Sequence, residues 1–474
     1  MTALLIDFGS TYTKLRAVSL DPPRVLASAQ APSTVSTDIT IGMHAALAEL
    51  ERMLGTLPAF DHRLACSSAA GGLRMVTIGL VRELTAEAAR QAALGAGARL
   101  VGTFAQGLNR DDLARMQALA PDIVLLAGGT DGGNAEVIRQ NAAMLAETSI
   151  ECPIIVAGNR AVADDILDRL AREGKSALVT ENVMPEFGEL NIEPARAAIR
   201  QVFIDRIVHA KGIDRAADLF DEVLMPTPAA VMEGARLLAE GCDGVQGVGP
   251  LLLVDVGGAT TDVHSIATGE PSDSGVVTRG LPEPYVKRTV EGDLGMRHNV
   301  RAVLEEAGLD VLAADSGLRA PQVAALVSEF ADDVERLPAT REERQVDRAL
   351  ARAVVRVAIK RHAGSIETVH TAMGPVTVQR GKDLSHIAML IGTGGVLAHS
   401  DRPAFILEGG LADPADPLSL GPRNPRLMID DGYLLYAAGL LSAVAPAAAI
   451  RLAQTQLRAV EALNRDTKSS AASR

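Results

Sequence analysis

The sequence predicts an α/β protein of two or three compact units, and three observations carry that reading. Short Val-, Ile- and Leu-rich runs alternate with helical patterns along the chain. The 474 residues are about three times a typical domain length, enough to bury more than one core. With 47% hydrophobic and 22% charged residues and a mean hydropathy of +0.16, the chain has the apolar material to fold over most of its length.

The same composition excludes several partner classes. The 46 Lys+Arg against 59 Asp+Glu give a net charge of -13, the wrong sign for a phosphate-backbone binder. Aromatics at 3%, with no Trp, offer few stacking platforms. Nucleic acid is therefore not an expected partner. Cys66, Cys152 and Cys242 lie far apart and form no CxxC pair, which fits a reducing cytoplasm better than a disulfide framework or a zinc knuckle. The opening MTALLIDFGS lacks a basic leader region and reads as a strand. The charge-free run from Gly432 to Ile450 is dominated by Ala and Gly and holds Pro446, so it reads as buried helix and no membrane partner is expected.

Element by element, Ala3 to Asp7 is the first strand, Lys14 to Leu20 the second and Arg24 to Ala29 the third. That opening is a meander, not the βαβ unit of a dinucleotide-binding domain. A helix follows from Thr40 to Leu54, then an apolar stretch from Arg63 to Cys66. The first domain is expected over 1–82. Residues 83–205 alternate helix and strand and either complete that domain or form an inserted α/β region. Residues 206–249 return to the first domain with a helix ending at Gly241, and the Gly-rich GCDGVQGVGP marks the boundary. A second domain is expected over 250–429, with an amphipathic helix from Arg341 to Arg361 whose charged face is solvated. A C-terminal helical segment, 430–463, and a polar, disordered tail, 464–474, complete the chain.

Two segments carry chemistry. IDFGSTYTK (Asp7 to Lys14) and VDVGGATTDV (Asp255 to Val263) are near-copies: a strand ending in Asp, a Gly-containing turn bearing hydroxyls, then another strand. Small residues at Gly9, Gly257 and Gly258 let backbone N–H groups approach phosphate oxygens, and Ser10, Thr11, Thr260 and Thr261 can add hydroxyl donors. Asp7 and Asp255 can hold hydrated Mg2+ against a polyphosphate, since magnesium keeps most of its waters and takes few carboxylates. In MLIGTGGVLAHS, a strand leads into Gly392, Thr393, Gly394 and Gly395, where bare backbone can let a flat ring lie close. LLAGGTDGGN reads mainly as a strand-to-helix turn capped by Asp131 or Asn134, with an anion cradle at Gly128 to Gly133 as the alternative. His264, His386 and His399 lack metal-ligand spacing and read as core or rim residues.

In this order the motifs resemble the superfamily of actin, sugar kinases and heat-shock chaperone ATPases. The resemblance implies two actin-like, ribonuclease H-like domains flanking a nucleotide cleft, with ATP and Mg2+ as cofactors. It implies Asp7, Asp255 and Lys14 as catalytic residues. It places Gly9 to Thr11, Thr13, Lys14, Gly257, Gly258, Thr260, Thr261 and Gly392 to Gly395 around the nucleotide. PTPAAVMEG (Pro226 to Gly234) and DDGYLLYAAGLLS (Asp430 to Ser442) are similar to the two connecting helices, and EGDLGMRHNV to the Gly-Asp-Leu-Gly turn of chaperone-like members. Arg356 and Lys360 are placed to flank adenine or, more simply, to sit on the solvated face. One departure is Met225, where chaperone-type members often carry a carboxylate; Glu222 and Glu233 are the substitutes for orienting water.

Within that superfamily, IDFGSTYTK, SSAAGGLRM, LLAGGTDGGN and VEGDLGMR resemble the glutamate mutase accessory family MutL, unrelated to mismatch repair. The family implies a slow ATPase that reactivates an adenosylcobalamin-dependent mutase. Two other readings stand beside it. One is a small-molecule kinase with Asp262 or Asp293 as general base. The other is a nucleotide-binding scaffold without turnover.

Overall fold

The first strands alternate small and branched apolar side chains, and both faces of the resulting ribbon are buried. The computed structural model describes residues 1–9, 12–34, 38–67, 73–210, 220–372 and 374–461; Ser10, Thr11 and the polar tail fall outside them. β1 (Thr2–Phe8), β2 (Tyr12–Leu20) and β3 (Pro23–Pro32) form the expected meander. α1 (Ile39–Leu54) starts at Asp38, whose carboxylate accepts the Thr40 N–H at 2.9 Å, and packs Met43, Ala46 and Leu50 into the core. β4 (His62–Ser67) then lies parallel to β1.

A second sheet begins at Arg74, earlier than residue 83. Its elements are β5 (Arg74–Gly79), α2 (Thr85–Gly95), β6 (Arg99–Ala105), α3 (Arg110–Leu119), β7 (Ile123–Leu126), α4 (Glu136–Ala146), β8 (Ile154–Val156), α5 (Ala163–Arg172) and β9 (Ala177–Val179). All five strands are parallel, in the order β6-β5-β7-β8-β9. Strand period two splits the side chains. Met75, Ile123 and Leu125 join the core of the first sheet, while Val76, Ile78, Val124 and Leu126 pack against α4 and α5 residues. α6 (Glu193–Ala210), β10 (Glu222–Pro226) and α7 (Thr227–Glu240) follow, with β10 parallel to β4. The first sheet is thus ordered β3-β2-β1-β4-β10.

The second half repeats the plan. After the small ribbon β11 (Gly241–Cys242) and β12 (Val245–Gln246) come β13 (Leu251–Val256), β14 (Thr261–Ile266), β15 (Val276–Arg279) and β16 (Val286–Glu291). α8 (Val300–Ala307), α9 (Leu309–Ser316), α10 (Ala320–Asp332) and α11 (Arg341–His362) are followed by β17 (Ser365–Thr371), β18 (Gly374–Arg380), β19 (Met389–Thr393), α12 (Gly395–Ala398), α13 (Pro403–Leu407) and β20 (Arg426–Ile429). The sheet runs β16-β14-β13-β19-β20, with β21 (Arg458–Ala459) on its edge; β15, β18 and β17 form a separate three-stranded sheet that the sequence reading did not foresee. In both large sheets an antiparallel meander is continued by two parallel strands. This is the actin-like strand order, present twice.

The chain divides into two compact units. One holds Met1–Leu237, Gly280–Pro284 and Leu435–Leu452, and the other Leu238–Arg279, Tyr285–Leu434 and the residues from Ala453 on. The run from Gly432 is broken into α14 (Leu435–Leu441) and α15 (Pro446–Gln456), and among the described residues no helix is long and apolar enough to cross a membrane. The charged face of α11 differs from expectation. Arg348, Arg352, Arg356, Lys360 and Arg361 are ion-paired to Asp401, Asp315 and Glu408, Asp315, Asp416, and Asp293 with Glu291.

His264 on β14 is buried, and burial first, then the Arg288 charge, push its pKa down to about 4 against the pull of Asp262. It is neutral in the fold and titrates normally when unfolded. Its contribution to stability is therefore present above about pH 6.5 and is lost as pH falls toward about 4, a swing of roughly 3 kcal/mol. His264→Leu should flatten that acid limb in denaturant melts at about pH 7 and 4.5; an unchanged slope would contradict the assignment.

Candidate functional site

The two hairpins are built alike, each inside its own unit. Asp7 pairs across to Lys14 and Phe8 to Thr13; Asp255 pairs across to Asp262 and Val256 to Thr261. Both carboxylates stand one residue before the strand ends. Each turn closes through the same bond: Gly9 N–H donates to the Tyr12 carbonyl at 3.1 Å, and Gly257 N–H to the Thr260 carbonyl at 3.0 Å. A Cβ at either glycine would press on that same carbonyl, at 2.5 and 2.7 Å.

At the first tip Asp7 is 2% exposed. Its Oδ1 accepts the Thr227 hydroxyl at 2.6 Å, and Lys14 Nζ stands 3.7 Å from Oδ2. Burial raises its pKa, opposed chiefly by Lys14 and then by the Thr227 bond. The Cys66 thiol, 3.7 Å from Asp7, is pushed well up by the same burial and by that carboxylate. Thr13 is fully buried, and its hydroxyl has no partner among the described residues.

The second tip is more open. Gly258 and Ala259 are exposed, and their N–H groups have no acceptor among the described residues. The opposite side of the turn is occupied: Met296 N–H donates to the Gly257 carbonyl, while Arg297 and His298 N–H donate to that of Gly258. Gly295 lies against Ala259 so closely that a Cβ would clash, which is the local reason for the second glycine of the Gly-Asp-Leu-Gly sequence. Two adjacent exposed donors on a turn braced from behind are chemically suited to receive an anion. Thr260 is half-buried, whereas Thr261 is fully buried and its hydroxyl donates to the Leu294 carbonyl at 2.6 Å, so that hydroxyl braces the turn.

Asp255 is half-buried and accepts the Tyr433 hydroxyl at 3.4 Å. Gly394, at φ 98, borders the same carboxylate, and a Cβ there would stand 3.0 Å from Asp255 Oδ1. Only glycine takes this position readily. Gly392 faces Leu407, Leu397 and Ile429 in the core, the buried Thr393 hydroxyl donates to the Asp430 carbonyl at 3.1 Å, and Gly395 is exposed beside open space. Thus Gly394 borders Asp255 and Gly395 follows it in the open, while Gly392 and Thr393 support the strand.

Sequence reasoning missed the two hydroxyls that hold the carboxylates. Thr227 directly follows β10 and Tyr433 closely follows β20, the equivalent last parallel strands, and each reaches the Asp of the first strand in its own sheet. Their positions in the quoted PTPAAVMEG and DDGYLLYAAGLLS segments were the available signal.

Other candidates are tied up. Asp262 accepts from Arg288 at 2.8 Å, and Asp293 from Arg361 at 2.8 Å, which holds its pKa down. Glu233 pairs with Arg236 on the same helix. Arg356 and Lys360 line a cavity of about 100 Å³ with Gly409, Gly410 and Asp413, and no described residue of the two tips or of Gly392 to Gly395 lines it. Asn134 Oδ1 accepts the Val137 N–H at 3.2 Å at the start of α4. Asp131, Asn159 and Asn182 lace the Gly128 to Gly133 loop, as expected for a structural turn. His386 and His399 are exposed.

For Mg2+, the two carboxylates differ in fit. Asp255 is open enough to face a hydrated cation, whereas Asp7 is buried and already bonded to Thr227 beside an ammonium. Among the described residues no three His, Cys, Asp or Glu side chains group as a closed metal site. The residues therefore fit a metal carried with phosphate at Asp255.

A family model described as MutL protein matches residues 3–457. Over 455 residues the chain is 48% identical to Protein MutL of Clostridium tetanomorphum, spanning 96% of this chain and 98% of that protein. Similar solved structures include the activator of the 2-hydroxyisocaproyl-CoA dehydratase from Clostridium difficile with bound ADPNP, at 11% identity and TM-score 0.30, covering 98% and 100% of the two chains. Xylulose kinase from Bifidobacterium adolescentis has 13% identity and TM-score 0.33, covering 97% and 96%. Likeness this low leaves the fold to be read from the strand order itself. The match along residues 3–457 and the 48% identity show that the chain belongs to the MutL protein family.

Proposed function

We propose that this protein is an ATP-driven accessory factor that reactivates an adenosylcobalamin-dependent mutase such as glutamate mutase. The observation that carries the nucleotide part is the duplicated tip: one turn, one closing bond and one strand-end carboxylate, each held by a hydroxyl that follows the last parallel strand. In this reading the exposed Gly258 and Ala259 N–H groups are the phosphate donors of the second unit, and Lys14, whose side chain is 25% exposed, is the phosphate-facing cation of the first. Mg2+ supplies charge neutralisation on the phosphates, with Asp255 as the carboxylate facing its waters. Asp7 and Thr227 hold Lys14 in place. The client part rests on membership of the family and on the resemblance drawn from the sequence.

A kinase reading has less support, because a base must be free to take the acceptor's proton. Both carboxylates considered for that role are bonded to arginines. Met225 leaves Glu222 and Glu233 as the candidates for orienting water; the Glu222 side chain lies outside the described residues, and the pairing of Glu233 with Arg236 gives the non-catalytic scaffold its one favouring observation. The test is direct. Purified protein with MgATP should release ADP slowly and restore turnover to a mutase inactivated with cyanocobalamin. Tight ATP binding with no ADP over hours would select the scaffold, and ADP release without reactivation would remove the client.

A further inference from the structure

Residues 183–191 close on themselves, with the Asn191 N–H donating to the Val183 carbonyl at 2.9 Å. Inside this loop the Glu189 N–H donates to the Glu186 carbonyl at 3.1 Å, and Gly188 has φ 82. A four-residue turn with positive φ at its third residue requires glycine there. The root is pinned. Buried Asn182 donates to the Gly129 carbonyl and to Asp131 Oδ1, both at 3.0 Å, and the Asp131 N–H donates to the Pro185 carbonyl at 2.8 Å. Val183 and Met184 are buried in the core.

What this fixed turn presents is Phe187, 80% exposed. Of the eight phenylalanines it is the one that is exposed. Leaving the ring in water forgoes about 1.5–3 kcal/mol of burial, so the fold gains nothing from it. Glu181, Glu186 and Glu189 around it are exposed, and no Lys or Arg occurs from Ser176 to Ala195. Arg160, beside the loop, is engaged with Asp131.

We propose that the Phe187 turn is the anchor by which this protein docks its client, the ring entering an apolar pocket that is rimmed by Lys and Arg on a protein partner. The proposal rests on the mutase reading above. A turn already held in shape loses little freedom on binding, and a single buried aromatic can dominate an interface. The carboxylate collar selects a basic rim. It disfavours an anionic lipid surface, and it disfavours a second copy, whose own collar would oppose it.

The experiment titrates the intact protein against purified glutamate mutase, comparing wild type with Phe187→Ala and with the Glu186→Lys/Glu189→Lys double variant. Both variants should melt like wild type and release ADP at the wild-type rate, while mutase binding weakens at least ~10-fold and wild-type binding falls with added NaCl. Wild-type affinity in both variants would overturn the anchor and leave the client reading standing. No binding by wild type would sink the client reading, and the anchor with it. Self-association or vesicle binding that depends on Phe187 would overturn it by giving the ring another occupant.

Discussion

Asp7→Asn is expected to melt at or above the wild-type temperature while releasing ADP from ATP at least ~100-fold more slowly. Asp7 is 2% exposed, and burial raises its pKa. A carboxyl with a raised folded pKa contributes stability below the ordinary carboxylate pKa and loses it as pH rises through the folded value. At neutral pH the ionised group therefore weighs against folding, with Lys14 and the Thr227 bond offsetting part of the cost. Asparagine removes the buried charge and still accepts the Thr227 hydroxyl, and the partly exposed Lys14 can turn to water. Asp255→Ala, at a half-buried position, should abolish metal-dependent hydrolysis with little change in melting. Thermal melts alongside ADP release decide both. Wild-type turnover in either variant would remove that carboxylate from the chemistry.

The second large effect is on stability. α7 and α14 touch through Gly234 and Gly439: a Cβ on Gly439 would overlap the Ala230 carbonyl, and one on Gly234 the Leu435 carbonyl. In both cases the obstacle is helix backbone, which cannot swing aside as a side chain can. Gly439→Ala must push the helices apart and should cost about 3 kcal/mol, even though alanine favours a helix more than glycine does. The check is the first transition in a thermal melt. A variant as stable as wild type would show that the helices are not held at this distance.

Much of the fold was legible because its signals are local. The strands of both hairpins follow from apolar runs that break at Gly9 and Gly257, and α11 from Val346, Leu350, Val354 and Val357 at helical spacing. The parts that escaped depend on residues far apart in sequence. Thr227 meets Asp7 across 220 positions, and Tyr433 meets Asp255 across 178. No local pattern marks either hydroxyl as a partner of a carboxylate. Likewise Thr261 looked like a ligand donor, yet the Leu294 carbonyl, reached only when the following turn folds back, takes its hydroxyl. β15 joins β18 across an intervening large-sheet strand and several helices, so β15 could not be assigned its neighbour in advance, although β17 and β18 pair locally as a hairpin.

The inserted parallel sheet is no removable cassette. Leu4, Ile6 and Phe8 of β1 lie in one continuous apolar mass with Met75, Leu125 and Ile155 of the insert, and with Val183 and Met184 at the root of the Phe187 turn. Excising the segment would strip the backing from the strand that bears Asp7, and transplanting it would bare a greasy flank. A tug on the aromatic tip would therefore be felt, through solid packing and no flexible tether, by the very strand that seats the buried carboxylate.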